Sequence, residues 1–200
     1  MTAHRLIDRI EGAEKPIAVT LARAFQDDPA FGWVFPDTAR RAEVLRGFFG
    51  ISAAQSLRHG WVLASREREA AALWYPPGVV TDGLLQTIAD TVRLAAIFGR
   101  DLPRGLRLGE AIHAHHPKPQ PYWYLRYVGV DPAAQGKGRG GAILRAGIEQ
   151  AARNRCGVLL ETATPTNVAI YTRLGFEVCE EWQPPGGAPT FWTMVRRFRA

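Results

Sequence analysis

Apolar residues recur along the chain with two spacings, and the switch from one to the other lays out the elements. Arg5 to Ile10 alternates over a length that suits a short edge strand. From Glu14 to Phe25 the apolar positions Ile17, Val19, Leu21, Ala22 and Phe25 fit one helical face, and Asp27-Asp28-Pro29 stops the run. Ala30 to Pro36 is aromatic and irregular, with Phe31, Trp33 and Phe35 crowded together. Asp37 and Thr38 offer a helix N-cap before Ala39 to Arg58, apolar at Val44, Leu45, Phe48, Phe49, Ile51 and Leu57 and closed by Gly60. Trp61–Ser65 and Ala70–Tyr75 read as strands joined by the charged turn Arg66-Glu67-Arg68-Glu69, an antiparallel hairpin ended by Pro76-Pro77-Gly78.

Helical patterns resume from Thr81 to Phe98 and from Arg104 to His115, and in a single domain these helices are expected to form one wall of a cleft. An aromatic, β-branched strand follows from Tyr122 to Val130, then a glycine-dense basic loop, then a helical pattern from Gly138 to about Asn154. Val158-Leu159-Leu160-Glu161 is continuously apolar up to its last residue, which suits a central parallel strand flanked by helices. A helix from Thr166 to Leu174, ended by Gly175, leads to two last strands, Phe176–Trp182 and Phe191–Val195, on either side of a Pro- and Gly-rich turn. The expected architecture is an α/β (α+β) domain spanning residues 1–200, with a mixed, mostly antiparallel sheet.

Composition narrows the class. Hydrophobic residues make up 46% of the 200 and charged residues 22%, the balance of a globular chain able to bury a sizeable core. No apolar run approaches the roughly 20 residues of a membrane span. The N-terminal residues lack an apolar leader, so a cytoplasmic protein without a membrane partner is expected. Cys156 and Cys179 lack metal-ligand spacing and read as buried free thiols. The net charge of +6 comes almost wholly from arginine and points to a polyanionic ligand. Because the charges are dispersed, apart from Arg196-Arg197-Phe198-Arg199, a phosphorylated cofactor fits better than nucleic acid. His113, His115 and His116 do not share one helical face and have no evident acidic co-ligand, so they read as solvated or pocket-lining side chains, with no metal.

The glycine loop carries the chemistry. Gly136, Gly138, Gly140 and Gly141 let main chain approach a ligand closely, and their N–H groups end at a helix N-terminus, which makes a site for phosphate. Lys137 and Arg139 add positive charge. A P-loop is excluded because Lys137 is followed by Gly138 rather than Ser or Thr, and Asp131 stands where the first glycine belongs. Gly136, Gly138 and Gly141 meet the dinucleotide pattern literally, with Glu161 about 20 residues on. That motif, however, needs its first glycine in the turn directly after the strand, and here Asp131 to Gln135 intervene.

Gln135-Gly136-Lys137-Gly138-Arg139-Gly140 matches every fixed position of the coenzyme A loop of the GNAT acetyltransferases, and the chain resembles that family beyond it. Val128-Gly129-Val130-Asp131-Pro132 looks like the family's splayed strand and its exit, and Asn167 to Phe176 like its second coenzyme-contacting segment. The resemblance covers roughly residues 122 to 182, and within the family the layout most resembles the puromycin N-acetyltransferase-like members. It implies the GNAT fold, with residues 122–200 as the acetyl-CoA-binding core and residues 1–121 on the acceptor side.

The activity implied is direct transfer of an acetyl group from acetyl-CoA to a primary amine of a small molecule, in a ternary complex and without a metal. Gln135 to Gly141 and Asn167 would hold the coenzyme, and the main chain of Val128 and Val130 would pair with its pantetheine arm. An amide there could polarise the thioester oxygen, commonly worth about 3 kcal/mol. Tyr171 takes the position of the acid that protonates the leaving sulfur, and Glu161 is the candidate base. Trp33, Phe35 and Tyr124 are the expected acceptor lining. Peptide N-terminal acetylation and a non-catalytic acyl-CoA sensor are the alternatives, and a monomer or homodimer is expected.

Overall fold

The computed structural model describes residues 7–9, 14–78, 84–117 and 122–198. Among them, seven strands form one sheet: β1 (Ile7–Arg9), β2 (Trp61–Ser65), β3 (Ala70–Tyr75), β4 (Tyr122–Val130), β5 (Gly157–Thr162), β6 (Glu177–Trp182) and β7 (Phe191–Arg196). Their order across the sheet is β1-β2-β3-β4-β5-β7-β6. Every neighbouring pair is antiparallel except β4 and β5 at the centre. Helices α1 (Glu14–Ala24), α2 (Pro29–Val34), α3 (Thr38–His59), α4 (Leu84–Phe98), α5 (Leu102–Ala114), α6 (Arg139–Arg153) and α7 (Pro165–Arg173) complete the chain. This is the mixed, mostly antiparallel architecture expected.

Strand alternation builds a core on each side of the sheet. Ala71 and Leu73 of β3 join the apolar faces of α1, α2 and α3 through Ile17, Leu21, Val34, Leu45 and Phe49. Ala70, Ala72 and Trp74 of the same strand face the other way, with Ile143 and Leu144 of α6, Tyr171 of α7 and Leu160 of β5. Gly129 of β4 shows how tightly α1 lies on the sheet: a Cβ there would stand 2.7 Å from Ala24 Cβ and 3.0 Å from Leu21 Cδ2. Only glycine lets helix and strand approach so closely.

Two features of the centre matter most. Pairing of β3 with β4 runs from Ala70↔Val130 to Leu73↔Tyr127 and then shifts to Trp74↔Leu125, so Arg126 is the extra residue of a β-bulge. The parallel register of β4 with β5 stops at Tyr124↔Leu159, although both strands continue. A bulge bends its strand and strengthens its twist, so this one turns β4 away from β5 and opens a fork between them.

The segment from Ala30 to Pro36 is not irregular. Asp28 caps α2, its carboxylate accepting from Ala30 N at 2.9 Å and Phe31 N at 3.2 Å, with Pro29 in the first turn. The aspartates that end α1 thus also start the next helix. Asp37 likewise caps α3, accepting from Arg40 N. The thiols are not buried as expected, since Cys156 is half-buried and Cys179 exposed. The start predicted at Thr81 and Asp82 lies outside the described residues.

Candidate active site

A cleft of about 1370 Å³ runs from the glycine loop, through the fork, to a wall of α5. Its geometry follows from how β4 leaves the sheet. Asp131 N donates to Glu69 O at 2.8 Å on the β3 side. In an antiparallel ladder alternate residues face the partner strand, so Gly129 and Tyr127 bond β3 as well. Val128 and Val130 therefore turn their N–H and C=O groups into the fork, where β5 no longer pairs. Among the described residues only the Val130 carbonyl is engaged, accepting from Gln135 Nε2 at 3.3 Å.

The loop beyond β4 ends at an open helix terminus. Gly136 and Gly138 adopt φ of +77° and +75°, which L side chains rarely tolerate, and a Cβ on either would meet open space. Gly138 is the N-cap of α6 and supplies no side-chain cap, so the first N–H groups of α6 are uncommitted. Together with the positive end of the helix dipole they suit an anion. Gly136, Gly138, Arg139, Gly140 and Gly141 all line the cleft, as do Val128, Val130, Gln135 and Asn167. Lys137 is exposed and does not. The Arg139 guanidinium is tied back to Glu69 Oε2 at 2.6 Å, which leaves its backbone rather than its full charge to the loop.

On the far side of the fork, Tyr171 rises from α7 and packs against Phe176, ring centroids 5.7 Å apart. It is 7% exposed and lines the cleft, and its hydroxyl makes no hydrogen bond among the described residues. Burial holds its ionisation well above that of a free phenol, and the nearby Asp28 carboxylate pushes the same way. Asp28 also lines the cleft, and burial raises its own carboxyl despite the bonds from Phe31, Ala30 and Thr164. Asn167 donates to Thr162 Oγ1 at 3.4 Å, fixing the turn between β5 and α7.

Glu161 sits at the end of β5 with its carboxylate 5% exposed, Oε1 lying 3.0 Å from His116 Nε2 without hydrogen-bond alignment. Tyr124 faces the same carboxylate and stacks edge-on to His116 at 5.0 Å. Burial first, and the Glu161 charge second, keep its phenol protonated. His116 is thus joined to the candidate base, whereas His115 is not: it stacks on Trp182 at 4.1 Å and contacts Glu180 at 2.9 Å. No cluster of three metal-ligating side chains occurs among the described residues.

The expected acceptor lining is only partly brought together. Tyr124 lines the cleft, and Phe35 does so from the core, 2% exposed and edge-on to Phe98 at 4.9 Å. Trp33 does not reach the cleft, because its indole donates to Gly186 O at 3.1 Å and clamps α2 to the β6–β7 turn. Leu102, Leu108 and Ile112 of α5 make the expected helical wall of the cleft, whereas two elements of the site escaped the sequence reading, Asp28 and Arg126. For Arg126 a signal was present, a lone charge inside an otherwise aromatic and apolar strand.

Comparison with known proteins agrees with this geometry. Residues 104–178 match the model of the acetyltransferase (GNAT) domain. A structure from Corynebacterium glutamicum, described as histone acetyltransferase HPA2 and related acetyltransferase, superposes with a TM-score of 0.73 at 26% identity, over 98% of this chain and 97% of that one. The Drosophila melanogaster polyamine N-acetyltransferase gives 0.62 at 17% identity, over 96% and 99% of the two chains. Arylalkylamine N-acetyltransferase 2 of Aedes aegypti gives 0.65 at 10% identity, over 96% and 98%. No described helix is long and apolar enough to cross a membrane. Residues 104–178 are thus similar to a GNAT acetyltransferase domain, and the fold is shared along nearly the whole chain with a solved acetyltransferase.

Proposed function

We propose that the protein is an acetyl-CoA-dependent N-acetyltransferase that moves the acetyl group directly to a primary amine of a small molecule. The observation that carries this reading is the fork between β4 and β5, lined by free backbone groups of Val128 and Val130 and opening beside the uncapped start of α6. An extended pantetheine arm fits the fork as an added strand, and the pyrophosphate fits the amides of Gly136 to Gly141. The thioester then lies between Glu161 on β5 and Tyr171 on α7.

Direct transfer needs a neutral amine, a polarised thioester and a proton for the leaving sulfur. Glu161, with His116 3.0 Å away, accepts the proton of the attacking amine or of a water between them. An amide of the Val128–Val130 segment supports the oxyanion. The Tyr171 hydroxyl, kept protonated by burial, gives its proton to the sulfur as the C–S bond breaks. Tyr124, Phe35 and the apolar α5 wall receive the acceptor. The aromatic and apolar lining favours a small, partly apolar amine. Thiol release from acetyl-CoA across an amine panel, with acetylated products identified by mass, tests the reading. If coenzyme A binds but no amine releases thiol, the protein is a coenzyme-binding module and not an enzyme.

A further inference from the structure

We propose that Arg126 binds a carboxylate of the acceptor, so that the molecule acetylated is an amino acid or another amine bearing a carboxylate. This rests on the acetyltransferase reading above and specifies its acceptor. Arg126 is the extra residue of the β4 bulge and lines the cleft just past the last parallel pair, Tyr124↔Leu159. Its guanidinium carbon lies 5.6 Å from the ring centroids of both Tyr75 and Tyr127. One nitrogen donates to Tyr75 Oη at 3.3 Å, and Ser56 Oγ holds that phenol at 3.0 Å.

A guanidinium has five N–H donors, and among the described residues this one meets only the hydroxyls of Tyr75 and Tyr127, which leaves donors to spare. Among the described residues no carboxylate pairs with it. Two other half-buried arginines are paired with acids, Arg40 with Asp101 and Arg139 with Glu69. Arg41, without an acid, donates to the carbonyls of Phe35, Gln26 and Pro36. A half-buried cation with spare donors in a cleft calls for an anion, and guanidinium geometry matches carboxylate in a bidentate pair.

That anion is not a coenzyme phosphate. The glycine loop begins beyond Val130, and four residues of extended strand already separate Arg126 from Val130 by about 13 Å. Arg126 stands instead at the closed end of the fork, where the acetyl group meets the amine. Glu161 with His116 lies across that end on β5, and Tyr124 lies between the two charges, facing Glu161 and within the field of Arg126. An amine directed to Glu161 and a carboxylate directed to Arg126 fit this arrangement, while the side chain of the acceptor faces Leu108 and Ile112.

The test uses matched pairs that share an amine and differ in the carboxylate: leucine and isoamylamine, phenylalanine and phenethylamine, β-alanine and ethylamine, and each amino acid against its dipeptide. For at least one pair the wild-type protein should prefer the carboxylate member by about 100-fold in kcat/KM, the factor that a hydrogen bond to a charged group commonly supplies. Arg126→Gln should bring that ratio to within a few-fold of unity, chiefly through KM of the carboxylate member, and Arg126→Lys should recover part of it. Melting temperature and acetyl-CoA binding of the variants show that the fold is kept. Turnover of the simple amines with no preference in any pair overturns the Arg126 assignment alone, as does an unchanged ratio in Arg126→Gln. Absence of turnover with every member removes the acetyltransferase reading and this inference with it, and preference for dipeptides moves the carboxylate away from the amine.

Discussion

Replacing Tyr171 with Phe removes one oxygen and little else. The ring keeps its place against Phe176, and the hydroxyl has no hydrogen-bond partner to orphan, so stability at neutral pH should change by less than about 0.5 kcal/mol. The kinetic cost is different. A thiolate's conjugate acid titrates near 8.5 and a phenol near 10, and burial moves the Tyr171 phenol higher still. Complete proton transfer from phenol to free thiolate is therefore uphill by more than about 2 kcal/mol. The acid must act while the C–S bond is breaking, which places its contribution at the lower end of the usual range, about 100-fold or roughly 2.7 kcal/mol. We expect single-turnover acetyl transfer to slow by about that factor, with KM for acetyl-CoA within about threefold of wild type.

Two pH readouts sharpen the test. Because the folded phenol holds its proton above the ordinary value of 10.0, no loss of rate below about pH 10 should trace to Tyr171. In the unfolded chain the same group ionises near 10. The stability it contributes is complete below that pH and is lost as pH rises towards the folded value. Wild-type stability should fall above pH 10 by an extra amount of up to about 1.4 kcal/mol per pH unit that Tyr171→Phe lacks. A single-turnover rate within threefold of wild type would remove Tyr171 from the chemistry, whatever the stability data show.

Substitutions at three further positions probe the site and its supports. Asp28→Asn keeps an α2 cap while removing a carboxylate that burial disfavours, so it should raise the melting temperature at pH 7, an advantage that disappears below the ordinary carboxyl value of 3.8; Asp28→Ala loses the cap and should cost about 1 kcal/mol. Gly129→Ala drives a methyl to 2.7 Å from Ala24 Cβ and should destabilise by about 1–3 kcal/mol in denaturant melts, an unchanged midpoint showing that α1 can move aside freely. Glu161→Gln should lower kcat/KM about 100-fold at neutral pH and recover as pH is raised and the free amine loses its own proton; an unaltered profile means that the base is elsewhere.

The elements that were legible in the sequence are those whose local chemistry agrees with their tertiary role. The glycine loop reads as an anion site because Gly136 and Gly138 take positive φ and no side chain caps α6. The β2–β3 hairpin and the buried run of β5 follow from their patterns alone. What was not legible depends on partners far along the chain. Trp33 resembles pocket lining until Gly186, more than 150 residues away, takes its indole hydrogen. Asp28 resembles a helix stop because its cap acts forward on α2, and its burial comes from the neighbourhood of Thr164.

The bulge at Arg126 explains why these parts meet. Before it, Trp123 and Leu125 face the α6 side of the sheet. Strict alternation would carry Tyr127 and Gly129 to that side as well. The one extra residue reverses the faces, so Tyr127 packs with Phe49 at 5.1 Å and Gly129 lies under α1, while Val128 and Val130 pack with the α6 core. The same shift turns the backbone groups of Val128 and Val130 away from β3 and into the fork. It also leaves Arg126 at the closed end of the fork, held between Tyr75 and Tyr127. Deleting residue 126 would therefore do more than remove a charge. It would leave Trp74↔Leu125 and Leu73↔Tyr127 as consecutive pairs, so Tyr127 and Gly129 keep their faces, but it would straighten β4 and let it pair with β5 across the gap that the pantetheine arm is proposed to enter. Loss of coenzyme binding with the fold kept is expected of that variant, whereas Arg126→Gln, which keeps the bulge, should alter acceptor choice alone.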